Sequence, residues 1–268
     1  MTLPIRNSRI RLSHGQLFWR EVGQGATLIF LHGTWTDGSQ WVPVIQSLSQ
    51  FYHCIALDLL GFGESEWAKR HYSIALEVEC LAEYIDALKL RDVYLVGHSI
   101  GGWVAASYAL RCPPQVKGLI LLHPEGVVPS GMRDRWKHAR WLTGNPPVVY
   151  WVLRSLFPLA RLVGASLPIR RAIAHYKQLR RSPTACKLLF KRRRAEIREE
   201  LLDDQLEHLR TPMLLLQGEH DQSECAALTQ AYAIAPNAKL YSIPDGGADL
   251  LEQMPNEVAD YIRGFCRD

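Results

Sequence analysis

Val93-Tyr94-Leu95-Val96-Gly97-His98-Ser99-Ile100-Gly101-Gly102 is an apolar run of strand-forming residues that breaks at glycine and passes directly into a helix-forming segment. The order strand, Gly-x-Ser-x-Gly, helix predicts a sharp turn carrying Ser99 at its apex as a candidate nucleophile. Glycine suits positions 97 and 101 because the helix that follows packs close to the strand, and a side chain at either place would clash. A helix starting at Ser99 also turns its free N–H groups and positive dipole end toward any negative charge that develops beside the serine.

Outward from this stretch, the chain alternates. Ile10 to Leu12 and Leu17 to Val22 read as short strands around Ser13-His14-Gly15, and Thr27 to Leu31 as a buried apolar strand ending in His32-Gly33-Thr34-Trp35. A helix is predicted over Asp37 to Ser49, a strand over His53 to Leu57 closing with Asp58-Leu59-Leu60-Gly61-Phe62-Gly63-Glu64-Ser65, and a helix over Leu76 to Leu88. After the serine turn come a helix from Ile100 to Leu110, stopped by Pro113-Pro114, and a strand from Val116 to Leu122. Late strands at Met213 to Leu216 and Leu240 to Ile243 accompany helices at Cys225 to Ile234 and Asn256 to Phe265. Repeated strand-helix units predict an α/β fold, a mostly parallel sheet with helices on both faces.

A chain of 268 residues, 47% hydrophobic and 22% charged, has the composition of a globular protein that buries a core, which excludes a disordered chain. The N-terminal residues lack the apolar core of a secretory signal, and no run approaches a membrane span, so a cytoplasmic location is expected. Cys54, Cys80, Cys112, Cys186, Cys225 and Cys266 have neither zinc-ligand nor disulfide-framework spacing, so no metal is expected and the thiols are read as reduced and mostly buried.

Taken together, His32-Gly33, the Asp58 to Ser65 segment, the Gly97 to Gly101 turn and Gly218-Glu219-His220-Asp221 make the chain resemble the α/β-hydrolase fold superfamily, in its capped serine esterase or lipase form. The resemblance implies a hydrolase core over residues 1–125 and 210–268 with a helical cap inserted at 126–209. It implies Ser99 as nucleophile, Asp221 as the acid of a triad, and the backbone N–H groups of Thr34 and Ile100 as oxyanion donors whose side chains are not diagnostic. No cofactor is implied. Asp221 could instead cap the helix that follows it.

The same resemblance places the base in a pattern G-H-x-x-x-x-E-x-P after the last strand, where this chain reads Gly247-Ala248-Asp249-Leu250-Leu251-Glu252-Gln253-Met254-Pro255. Counting back from Pro255 puts Ala248 at the histidine position, and no histidine follows His220. Three explanations stand open: an engineered replacement, a natural relative that has lost the base, or a substitute base. His123, ending the strand beside the serine strand, is the substitute of choice, because some relatives place a catalytic carboxylate at that strand end. His98 is expected to point away from Ser99, His32 to bond within its own loop, and His220 to lie at the surface.

The 90 residues between Leu122 and Met213 interrupt the alternation. Ser130 to Glu200 holds 17 Lys and Arg against 4 Asp and Glu, about +13, so the remainder sums to about −9 within a net +4. Trp136, Trp141, Tyr150, Trp151 and Phe157 lie in the same segment, with an apolar stretch from Val148 to Ile169. Basic residues beside tryptophans predict peripheral contact with an anionic membrane, the alternative being a cap packed on the core with a solvated charged face. Lys191-Arg192-Arg193-Arg194 is followed at once by Glu196, Glu199 and Glu200, so no nucleic-acid partner is expected.

The resulting expectation is a serine hydrolase that cleaves a small-molecule or lipid ester with a sizeable apolar part through acyl-Ser99, impaired by Ala248. The alternative is a non-catalytic protein of the same fold that binds an apolar ligand or lipid. Serine at the turn argues against a haloalkane dehalogenase, whose nucleophile is a carboxylate.

Overall fold

The computed structural model describes residues 3–129, 131–132, 136–144, 146–162, 166–247 and 249–267. Eight strands form one sheet in the order β1-β2-β4-β3-β5-β6-β7-β8: β1 (Arg6–Arg11), β2 (Gln16–Val22), β3 (Thr27–Leu31), β4 (His53–Asp58), β5 (Val93–His98), β6 (Val116–Leu122), β7 (Met213–Gly218) and β8 (Ala238–Ile243). The β1–β2 and β2–β4 pairs are antiparallel and all others parallel. The two antiparallel strands begin the chain, before the alternation with helices sets in, and a hairpin needs no crossover.

Helices occupy Val42–Leu48 (α1), Ile74–Ala87 (α2), Ile100–Ala109 (α3), Lys137–Leu142 (α4), Val148–Leu162 (α5), Ser166–Arg181 (α6), Pro183–Cys186 (α7), Arg194–Glu199 (α8), Ser223–Ala231 (α9), Leu250–Gln253 (α10) and Pro255–Phe265 (α11). The expected helix over Asp37 to Ser49 divides into a 3₁₀ turn, Gly38–Trp41, and α1. Pro43 in the first turn of α1 favours a new start there. The first strand is longer than its sequence announces, because an exposed edge strand with the sequence RNSRIR has little apolar alternation to read.

Every residue of β3 is buried, as are most of β5 and β6, which accounts for their nearly continuous apolar sequence. Burial of each such Leu, Ile or Val is worth about 1.5–3 kcal/mol. On one side α1 and α11 pack together over a core that includes Phe30, Trp41, Ile45, Val258 and Ile262. On the other, Trp19 meets Tyr84 of α2 edge to face at 5.2 Å. None of the six cysteines is in a disulfide, and Cys54, Cys80 and Cys186 are buried while Cys112 is exposed.

The chain forms two compact units, residues 1–130 with 200–268, and residues 131–199. Residues 126–129 and 200–209 belong with the sheet: Leu202 N–H donates to Gly126 O at 2.8 Å, Val128 N–H to the Asp203 carboxylate at 2.8 Å, and Trp103 Nε1–H to Glu200 O at 3.0 Å. The second unit is helical, running from α4 to α8. Its α7 continues into a π-type turn, Lys187–Lys191, where Leu188, Leu189 and Phe190 are buried.

Candidate active site

β3 and β5 are neighbours in the sheet, yet β3 connects to β4 on one side while β5 continues to β6 on the other. Loops leaving the carboxyl ends of such strands diverge and leave a crevice, the usual place for a ligand in a sheet of this kind. Thr34 lies in the loop after β3, and Ser99 follows β5.

Ser99 has φ 51° and ψ −115°, a conformation that costs a non-glycine residue energy and projects its side chain out of the turn. Neighbouring backbone holds it there: Ser99 N–H donates to Leu122 O at 3.0 Å, and Ser99 O accepts from Glu125 N–H at 3.0 Å and Trp103 N–H at 3.2 Å. A Cβ at Gly97 would stand 2.6 Å from Gly102 Cα, and one at Gly101 would stand 2.3 Å from Leu31 O. Both glycines are therefore required by the close approach of α3 to the sheet.

Ser99 Oγ is hydrogen-bonded to Thr34 Oγ1 at 2.8 Å. The Thr34 side chain therefore touches the candidate nucleophile, a contact separate from the backbone role expected of this residue. Thr34 and Ile100 are both buried, and among the described residues neither backbone N–H has a hydrogen-bond partner. For Ile100 this follows from its place as first residue of α3, whose leading N–H groups have no acceptor within the helix.

His123 directly follows β6 with φ 44°, and its Nε2 lies 2.5 Å from Asp221 Oδ2. Asp221 leaves the loop after β7, the next strand in the sheet, so strand adjacency brings together two residues 98 positions apart. The same Asp221 Oδ2 accepts Gly218 N–H at 2.8 Å, while buried Oδ1 has no partner among the described residues. The carboxylate does not cap α9, which starts after Gln222 with no side-chain cap bond. No hydrogen bond joins His123 to Ser99 in this structure.

The remaining histidines have other duties. His32, fully buried, is bonded through Nδ1 to Gly33 O at 2.8 Å and accepts Leu59 N–H on Nε2 at 3.1 Å, and burial lowers its pKa. His98 is bonded to Gln40 through Nδ1 at 3.3 Å, and its ring lies edge to face 6.0 Å from that of His123. Burial, helped by His123 and His32, depresses the His98 pKa to about 3, so this ring stays neutral. His220 is exposed, and its N–H donates to Gly246 O at 2.7 Å. Ala248 lies outside the described residues.

The Asp58 to Ser65 segment is structural. Asp58 carries no exposed surface, accepts Gly38 N–H at 2.7 Å and Arg20 Nη1 at 3.0 Å on Oδ1, and accepts Glu64 N–H at 2.8 Å on Oδ2. Below it, Glu77 of α2 is buried with Oε2 accepting Leu60 N–H at 3.1 Å, and burial raises its pKa to about 8. Nothing in the local sequence marks Glu77, which reads as an ordinary first-turn acid of an exposed helix. Among the described residues the only cluster with metal-ligand geometry is Glu219, His220 and Asp245, all exposed, and exposed acidic groups commonly gather without an ion.

Residues 28–261 match the family model described as the alpha/beta hydrolase family. The chain belongs to that family. A Bacillus subtilis relative, the uncharacterized hydrolase YugF, is 27% identical over 256 residues, covering 90% of each chain. Mouse 1-acylglycerol-3-phosphate O-acyltransferase ABHD5 is 35% identical over 127 residues, 44% of this chain and 36% of that one. This chain spans about a third of the length of the first curated relatives it matches. Among solved structures, Est816, described as an N-acyl homoserine lactone degrading enzyme, aligns with a TM-score of 0.75 at 24% identity over 96% of this chain and 100% of that one. The match in backbone confirms the α/β-hydrolase fold with its mostly parallel sheet and flanking helices. Among the described residues no helix is long and apolar enough to cross a membrane.

Proposed function

We propose that this chain is a serine hydrolase of carboxylic esters with a sizeable apolar part, in which His123 replaces the histidine missing at Ala248. The observation that carries the reading is the His123–Asp221 pair, an imidazole held by a buried carboxylate at the strand end beside the serine turn. Ser99 Oγ attacks the ester carbonyl and its proton passes to His123. With Nε2 engaged by Asp221, Nδ1 is the nitrogen left to accept that proton. The unpartnered N–H groups of Thr34 and Ile100 receive the oxyanion, His123 returns the proton to the departing alcohol, and water then releases the acid from acyl-Ser99. The hydroxyl must first leave Thr34 Oγ1 and turn toward His123, a hydrogen bond worth about 0.5–1.5 kcal/mol. The acyltransferase name of the mouse relative supports acyl chemistry on a substrate that carries an acyl chain.

A second reading, a binding protein for an apolar ligand or lipid without turnover, is favoured by the Ser99–Thr34 bond and by alanine at 248. A fluorophosphonate probe separates the two. The hydrolase reading expects labelling that Ser99→Ala abolishes and His123→Gln slows strongly. Labelling absent from the native chain, or insensitive to His123, gives precedence to the binding protein.

A further inference from the structure

Between Asp134 and Glu196 the chain contains no acidic residue and fifteen Lys and Arg. Inside this span α5 and α6 pack as a hairpin, with Tyr150 stacked on Tyr176 at 3.9 Å and 19° between planes. Tyr150, Leu153, Phe157 and Ala160 recur at helical spacing as the half-covered side of α5, and Tyr176 and Leu179 are the buried residues of α6. An ordinary surface helix would be polar on its other side.

α5 is not. Val148, Trp151, Val152, Leu156, Leu159 and Leu162 fall on the opposite side and are all exposed, Trp151 by 53%, Leu159 by 62% and Leu162 by 84%. No residue of α5 is buried, so the helix has an apolar outer side running its length of about 22 Å. Single exposed leucines are common, but six on one helix face form a contiguous patch of roughly several hundred Å², the size that marks an interaction surface. Arg154 and Arg161 flank it, and α6 adds exposed Arg170, Arg171, Lys177 and Arg180.

We propose that the α5–α6 hairpin docks on an anionic lipid surface, with the outer face of α5 entering the headgroup–acyl boundary and the hairpin's arginines and lysine meeting lipid phosphates. Charge selects this occupant. A second copy paired face to face through this hairpin would bring the same acid-free basic span against itself, whereas an anionic bilayer supplies both the counter-charge and the apolar layer. At 15 residues α5 lies in the interface and cannot span it. Trp151 suits that boundary, with an apolar ring body and one N–H to hydrogen-bond.

The test is co-sedimentation with vesicles of phosphatidylcholine alone or mixed with phosphatidylglycerol, at low and high salt. Expected is binding to the mixed vesicles that falls about tenfold or more at high salt and is weak on phosphatidylcholine alone. Leu156→Gln with Leu159→Gln, which keeps the charge, should also weaken binding about tenfold or more, as should Arg170→Gln with Arg171→Gln. Unchanged circular dichroism melts establish that the variants fold. The native chain's tryptophan emission should be quenched by brominated acyl chains, and Trp151→Tyr should reduce that quenching. Equal binding to both vesicles, or binding indifferent to the leucine pair, overturns the proposal. So does a dimer that the leucine pair dissolves, in a chain that ignores vesicles. Ser99→Ala should bind as the native chain does, so the outcome is independent of turnover.

Discussion

His123 Nε2 and Asp221 Oδ2 meet at 2.5 Å across the ends of two adjacent parallel strands, β6 and β7. Neither side chain is more than 8% exposed, so the pair forms away from bulk water, where a carboxylate orients an imidazole most effectively. If the two act as one base, their losses should not add. His123→Gln and Asp221→Asn are each expected to lower ester turnover by about 10²–10⁴-fold, and the double variant by no more than the worse single one. The check is kcat/KM of the four proteins on one ester. Additive losses would mean that the pair serves stability alone.

Thr34 holds the Ser99 hydroxyl in the resting state, and Thr34→Val removes that hold while keeping the backbone N–H. Freed from a hydrogen bond of about 0.5–1.5 kcal/mol, Ser99 should react about two- to tenfold faster with a fluorophosphonate. A slower reaction would place the Thr34 hydroxyl among the groups that stabilise the transition state.

Glu77 gives a prediction in pH. Burial raises its folded pKa to about 8 from an ordinary value of 4.5, so between those values the folded chain keeps a proton that the unfolded chain has released. Stability from this group is complete below the unfolded pKa and falls by about 1.4 kcal/mol per pH unit until the folded pKa is passed. Glu77→Gln keeps an oxygen to accept Leu60 N–H and cannot ionise. Thermal melts should show the variant gaining on the native chain as pH rises from about 5 to about 8, with little difference below about 4.5. A native advantage that persists at about pH 8 would mean that the carboxylate is held ionised.

The parts of this molecule legible in its sequence are those fixed by local spacing. Gly97 and Gly101 announce the serine turn because each sits within a few ångströms of backbone only a few residues away or on the adjacent strand, and the buried strands β3, β5 and β6 announce themselves as apolar runs. Asp221, in the loop after β7, is singled out by the family resemblance and not by local spacing, and only the fold brings His123 to it. The Thr34–Ser99 bond joins residues 65 apart through the choice of a hydroxyl rotamer, which no spacing encodes. Glu77 hides because the face of α2 it occupies also carries Leu81, Tyr84 and Ile85, and burial of one acid among them is decided by what packs above. The edge strand Arg6–Arg11 lacks a pattern because it has little to bury.

The final prediction concerns position 248. The residues just before it are tied to the Asp221 turn: His220 N–H donates to Gly246 O at 2.7 Å, and a Cβ at Gly218 would stand 2.8 Å from Gly247 N. Asp221 still has Oδ1 without a partner among the described residues, while Oδ2 serves His123. The expectation is that an imidazole added by Ala248→His takes this free carboxylate oxygen as its orienting partner. Ester hydrolysis should then rise by several orders of magnitude, on the scale lost when a triad base is deleted, about 10³–10⁶-fold. The gain should survive His123→Gln, because the new ring takes over proton transfer, and should fall sharply with Asp221→Asn, because both imidazoles depend on that carboxylate. Steady-state rates on short- and long-chain esters check this. A rise that vanishes with His123→Gln would keep His123 as the base even with a histidine at 248, and no rise on any ester would show that the site has lost more than its base.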